Sequence, residues 1–113
     1  MKSAINPYRS LEESLKTAIE DVPDFPSKGI VFKDLSPVWA KPDLRMEAVK
    51  AVSEWILAAD CMPTAIAGIE SRGFLLGMSI ADRLGLPFIA LRKKGKLPGP
   101  TMGQSYALEY GKA

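Results

Sequence analysis

The sequence predicts an α/β fold in which helices flank a parallel sheet, and three neighbouring segments carry that prediction. Ala65–Ile69 is a continuous apolar run, the pattern of a strand covered on both faces. Phe74, Leu75, Met78, Ile80, Ala81 and Leu84 recur at helical spacing, and Gly85 with Pro87 beyond it ends the helix. Phe88–Leu91 is a second apolar run. Strand, helix and strand within about 30 residues make a βαβ unit, whose strands run parallel through a right-handed crossover.

The earlier elements follow in order. Ser10, Leu11, Glu12 and Glu13 read as a capping box, with Ser10 as N-cap and Glu13 reaching back to its amide. Leu11, Leu15, Ala18 and Ile19 fall on one face of the helix so opened. Pro23, Pro26 and Gly29 in "DVPDFPSKG" stop it. Ile30–Phe32 is expected to pair as a short strand, closed by "DLSP". "KPDLRMEAVKAVSEWILAAD" predicts a long helix: Pro42 sits near its first turn, where a missing N–H costs little, and Asp43 suits the positive end of the dipole. Ala48, Val52, Trp55 and Ala59 share one face of it, with Val49 and Ile56 beside them.

Composition narrows the chemistry. A chain of 113 residues makes at most one domain with a modest core. Its 47% apolar and 25% charged content is that of an ordinary globular protein, and a net charge of +2 is too small to argue for nucleic-acid binding. Cys61 is the single cysteine, so no disulfide forms within the chain, which fits a reducing cytoplasm. No apolar run approaches the roughly 20 residues of a membrane helix, and "MKSAINPYRSLEESL" has no signal-peptide apolar region. Histidine is absent. That removes the usual general base, most zinc sites and every Ser/His or Cys/His nucleophile. Carboxylates, cations and backbone amides are left to do the chemistry.

Ligands of open α/β sheets bind beyond the carboxyl ends of the strands, and polar residues stand at both ends here. Glu70, Ser71 and Arg72 follow the first strand; Arg92, Lys93, Lys94 and Lys96 follow the second. Arg72 falls in the first helical turn, where the macrodipole disfavours a cation by roughly 0.3–1 kcal/mol. An anionic ligand reverses that sign, because helix amides and guanidinium then attract the same charge. The plainer account is that Glu70 and Arg72 pair with each other or with neighbours. The basic segment, with Gly95, Pro98, Gly99 and Pro100, has the make-up of a lid carrying cations. On composition alone it is equally a solvated loop or a polybasic patch.

Four blocks, "DVPDFPSKGIVFKDLSP", "AGIESRGFLLG", "LPFIALRKKGKLPGPT" and "SYALEYGK", occur in that order between Ile19 and Lys112, and together they resemble adenine phosphoribosyltransferases. The resemblance implies the type I phosphoribosyltransferase fold: a parallel sheet with flanking helices and an N-terminal hood. It implies transfer of ribose 5-phosphate from phosphoribosyl pyrophosphate to adenine, giving AMP and pyrophosphate, with Mg2+ accompanying the substrate and no protein side chain as metal ligand. It implies a cytoplasmic homodimer of purine salvage, with neither membrane nor nucleic acid as partner. By the same resemblance, backbone groups of Val31 and Lys33 read the adenine edge while Phe32 packs on its face. Lys33 stands where the family often has arginine, so a guanidinium contact is lost there. Glu70, Ser71 and Arg72 correspond to the pyrophosphate loop, with a cis Glu70–Ser71 bond, and Arg92, Lys93 and Lys96 to pyrophosphate ligands. Glu109, between Tyr106 and Tyr110, corresponds to a carboxylate handling a proton at the purine imidazole ring. Glu109 and Arg72 are then the residues closest to the chemistry.

The family continues beyond "EYGK" into a strand ending in two aspartates and an Ala-Thr-Gly-Gly-Thr loop for ribose 5-phosphate, which this sequence does not include. It therefore reads as one incomplete phosphoribosyltransferase domain: helix and hood over 1–40, the start of the core over 41–113, and a flexible catalytic loop over 93–104. Inactivity of the 113-residue chain by itself is expected on that basis. The alternatives are a non-catalytic purine- or phosphate-binding module, or a fragment needing a partner chain, and, less well supported, a basic-loop nucleic-acid binder.

Overall fold

The computed structural model describes residues 6–105 and the backbone of residues 107, 108, 111 and 112. Contacts along the chain gather into two compact units, Met1–Ala51 and Val52–Ala113.

The first unit opens with helix α1, Arg9–Ala18. The expected capping box does not form. Asn6 Oδ1 accepts the Tyr8 N–H at 2.9 Å and Asn6 O accepts the Arg9 N–H at 3.3 Å, so the chain is already turning at Asn6. Tyr8 is the N-cap and Ser10 lies inside the first turn, where its hydroxyl has no cap to make. Glu13 instead meets Arg9 one turn back, at 3.4 Å. The expected apolar face stands: Leu11 and Ala18 are buried, Leu15 and Ile19 half-buried.

Two short strands follow, β1 (Glu20–Pro23) and β2 (Val31–Asp34), paired antiparallel with Val22 opposite Phe32 and Pro23 opposite Val31. β1 has no alternating pattern to announce it, and its proline is tolerated at the strand's last residue. β2 starts one residue later than expected because Ile30 belongs to the turn. Its N–H donates to Ser27 O at 3.2 Å and its carbonyl accepts the Phe25 N–H at 3.1 Å. Asp24, at φ 56°, fastens the same turn by accepting the Gly29 N–H on Oδ1 at 2.9 Å. Phe25 and Phe32 meet edge to face, 5.2 Å between centroids. A short helix α2, Ser36–Trp39, begins where Asp34 Oδ1 accepts the Ser36 N–H at 2.9 Å, a bond that holds the Asp34 carboxyl below the usual carboxylate range.

Helix α3, Pro42–Leu57, contains the division between the units. Its buried positions are Val49 and Ser53, not the Trp55 and Ala59 of the expected face. Trp55 is 68% exposed, and Ala59 lies beyond the helix end. Periodicity misses this because a serine counts as polar. Yet no buried side-chain polar atom among the described residues lacks a partner, so a satisfied Ser53 can occupy the inward stripe.

In the second unit strand β3 (Ile66–Ile69), helix α4 (Arg72–Leu84) and strand β4 (Phe88–Leu91) form the expected βαβ unit, with β3 and β4 parallel and Ile66 opposite Phe88. The backbones of β5 (Ala107–Leu108) and β6 (Gly111–Lys112) pair antiparallel. Register puts Ile66, Gly68, Phe88 and Ala90 on the face toward α4, and Ala67, Ile69, Ile89 and Leu91 on the other, where all four are exposed. Burial of β3 on both faces is therefore not observed: one helical layer covers one face of two strands. Among the described residues no helix is long and apolar enough to cross a membrane.

α4 ends as the sequence indicates. Gly85, at φ 68°, donates to Asp82 O at 3.3 Å and Leu86 to Ala81 O at 3.0 Å, the paired bonds of a Schellman turn. An alanine at 85 meets no atom but must hold a left-handed backbone. Gly85→Ala is expected to cost about 1 kcal/mol, read as a lower urea midpoint at unchanged slope.

Candidate functional site

The carboxyl ends of β3 and β4 lie side by side, and the parallel register continues one step past the strands: the Glu70 N–H donates to Leu91 O at 2.9 Å. That step brings residues 22 apart in sequence into contact. Arg92 Nε donates to Glu70 Oε1 at 2.6 Å, and the Lys93 N–H reaches the same oxygen at 3.2 Å. The Glu70 side chain is 13% exposed and that of Arg92 35%. The Arg92 guanidinium lies 5.9 Å from the Phe74 ring centroid, within cation–π range. Glu70 therefore pairs with Arg92 across the sheet.

Ser71 is the N-cap of α4 without a side-chain cap bond, and Arg72 is its first residue. The Glu70–Ser71 peptide is cis. Ser71 and Arg72 are exposed, as is the whole segment from Arg92 to Ser105. Lys93 O accepts the Lys96 N–H at 3.1 Å, a turn that keeps both lysines near the strand end. Of the residues singled out in the sequence, the structure thus places Glu70, Ser71, Arg72, Arg92, Lys93 and Lys96 at the adjacent carboxyl ends of β3 and β4. Val31, Phe32 and Lys33 lie on β2 in the first unit, where Lys33 Nζ pairs with Asp21 Oδ1 at 2.6 Å in an exposed bridge worth under about 1 kcal/mol. Glu109, Tyr106 and Tyr110 fall outside the described residues.

Two glycines that sequence reasoning passed over, Gly68 and Gly77, let α4 lie close against β3 and Phe88. A β-carbon on Gly68 would lie 2.5 Å from the Gly73 carbonyl oxygen and 2.8 Å from Phe88 Cζ. One on Gly77 would lie 2.6 Å from Phe88 Cε1. Helix and strand approach this closely only because side chains are absent, and Phe88 fills the space, edge on to Phe74 at 6.1 Å. The signal was present in Gly73 and Gly77, one helical turn apart on a face opposite Gly68.

The Arg92 hydrogen bond, followed by that from the Lys93 amide, holds the Glu70 carboxyl below the usual glutamate range. A lowered folded-state pKa means that the pair's contribution is present above the unfolded value and lost as pH falls through the folded one. The stability gap between the native chain and Glu70→Gln is therefore expected to close on acidification from neutral pH to about pH 3, followed by urea midpoints.

Paired antiparallel strands, then a βαβ unit whose parallel strand ends bring Glu70 and Arg92 together, give the chain a type I phosphoribosyltransferase-like α/β fold. The crystal structure of adenine phosphoribosyltransferase from Saccharomyces cerevisiae, complexed with an imino-altritol bisphosphate and adenine, matches it with a TM-score of 0.83 at 39% identity, over 91% of this chain and 60% of that one. The Giardia lamblia enzyme, complexed with 9-deazaadenine, matches with a TM-score of 0.81 at 41% identity, over 88% of this chain and 54% of that one. In sequence, the adenine phosphoribosyltransferase of Synechococcus sp. (strain RCC307) is 46% identical over 102 residues, 90% of this chain and 56% of that protein. No protein-family model matches. Across these comparisons the chain is similar to adenine phosphoribosyltransferases, and it spans about half the length of the curated relatives it matches.

Proposed function

We propose that the chain supplies the base-binding and pyrophosphate-binding part of an adenine phosphoribosyltransferase, which makes AMP and pyrophosphate from adenine and phosphoribosyl pyrophosphate in cytoplasmic purine salvage, as a homodimer. The observation that carries this is the meeting of "ESR" and "RKKGK" at the parallel ends of β3 and β4. The adenine in the yeast structure and the 9-deazaadenine in the Giardia structure support the choice of base.

The glycosyl bond to pyrophosphate breaks through an oxocarbenium-like state, so the protein has to hold a departing polyanion and exclude water. Arg72 at the helix start, with Arg92, Lys93 and Lys96, meets the first need through charge-assisted hydrogen bonds. Closure of 93–104 over the site meets the second. Val31 and Lys33 backbone groups hold the base edge, Phe32 packs on its face, and Glu109 handles the proton on the imidazole ring. Among the described residues no three His, Cys, Asp or Glu side chains cluster as a metal site. Mg2+ would arrive on the phosphate oxygens of the substrate, whose charge it would partly neutralise.

The test has two arms. Joined to the remaining part of the Synechococcus relative, the chain is expected to form AMP from adenine and phosphoribosyl pyrophosphate; a folded chimera with no AMP above blank overturns the activity. In hydrogen exchange on the 113-residue chain, 93–104 is expected to gain protection when pyrophosphate is added. Unchanged protection at saturating pyrophosphate overturns the lid.

A further inference from the structure

The "ESR" segment includes a carboxylate, and a carboxylate facing pyrophosphate repels it. The geometry resolves this, because the Glu70 oxygen is already occupied. Oε1 receives both the Arg92 Nε–H at 2.6 Å and the Lys93 amide at 3.2 Å, and the side chain is the less exposed member of the pair. Arg92 uses one of its five N–H donors on this bond, which fixes the plane of the guanidinium and leaves its outer N–H groups to a ligand. Phe74 lies under the same guanidinium at 5.9 Å and is itself braced by Phe88. The second bond, to the Lys93 amide, fixes the first residue of the basic segment rather than a side chain. We propose that Glu70 is a positioning residue: resting on the pyrophosphate-binding function proposed above, it touches no phosphate but aims Arg92 and anchors the root of the 93–104 segment, with Phe74 as platform.

This role makes a prediction of unusual sign. If Glu70 merely sat near the cations, removing its negative charge would tighten anion binding. As a positioning residue it does the opposite: Glu70→Gln is expected to bind pyrophosphate about tenfold more weakly than the native chain, in calorimetry on the 113-residue protein at neutral pH. Glu70→Asp, which keeps the charge but shortens the reach, is expected to fall between the two. In an Arg92→Ala background, the Glu70→Gln loss is expected to shrink to about threefold or less, since little remains to be aimed. An independent readout needs no ligand: the Arg92 Nε–H resonance is expected to be protected from exchange in the native chain and lost in Glu70→Gln. Unchanged or tighter pyrophosphate binding by Glu70→Gln, or equal Nε–H protection in both proteins, overturns the positioning role while the pyrophosphate function stands. Failure of the native chain to bind pyrophosphate, with Nε–H still protected, overturns that function and this role with it.

Discussion

Arg92→Ala is expected to weaken pyrophosphate binding by roughly ten- to hundredfold, the range set by charged hydrogen bonds of about 1.5–3 kcal/mol. Arg92→Lys is expected to recover little of this. The native guanidinium gives only its Nε–H to Glu70 and lies over the Phe74 ring, so its outer N–H groups remain for an anion. An ammonium group is a single point donor without that fork, so a lysine turned to Glu70 is spent there, and one turned to phosphate abandons Glu70 to repel the ligand. Calorimetric titration of pyrophosphate into both variants checks this, with circular dichroism as the control for folding. A lysine variant that binds like the native chain would show that charge alone, not the two-way fork, is what the site uses.

Gly68→Ala is expected to lower the melting temperature by about 5–15 °C, following from an overpacking cost of about 1–3 kcal/mol. The added carbon would sit 2.5 Å from a backbone oxygen of α4, and a main-chain atom cannot rotate aside as a side chain can. The helix start must therefore back away from β3, carrying Ser71 and Arg72 with it. Pyrophosphate affinity is expected to fall together with stability, although residue 68 contacts no ligand. Differential scanning calorimetry and the same titration, run on one preparation, test the linkage. A lower melting temperature with native affinity would show that the crevice does not depend on where α4 begins.

The parts of this molecule legible in the sequence are those determined by local chemistry. Gly85 and Pro87 marked the end of α4, Phe88–Leu91 gave β4 to the residue, and Pro42 opened α3. Failures came where one residue outweighed a pattern: Asn6 turned the chain before Ser10 could cap it, and the Ile30 turn delayed β2. Trp55 shows a different limit, for helical periodicity ranks faces by apolarity and so could not prefer the small, satisfied Ser53. In the site, the residue types and the two strand ends were readable, and the resemblance named the segments. The Glu70–Arg92 bond was not, because it depends on the register of β3 against β4, and no spacing along the chain encodes that.

The glycine contacts also impose an order on how the chain can diverge. At Gly77 the obstacle to a methyl group is the edge of the Phe88 ring, a side chain that can itself change. Alanine at 77 is harmful beside phenylalanine and becomes acceptable once residue 88 is smaller, such as leucine. Once alanine is in place, the return of phenylalanine is the harmful step. The two sites thus form an epistatic pair whose permitted histories, in either direction, pass through the same intermediate, glycine at 77 beside a smaller residue 88, with a transient cavity. Gly68 has no such exit, since its obstacle includes the main chain of Gly73. Divergent descendants of this sequence should therefore vary at 77 and 88 together while residue 68 stays glycine.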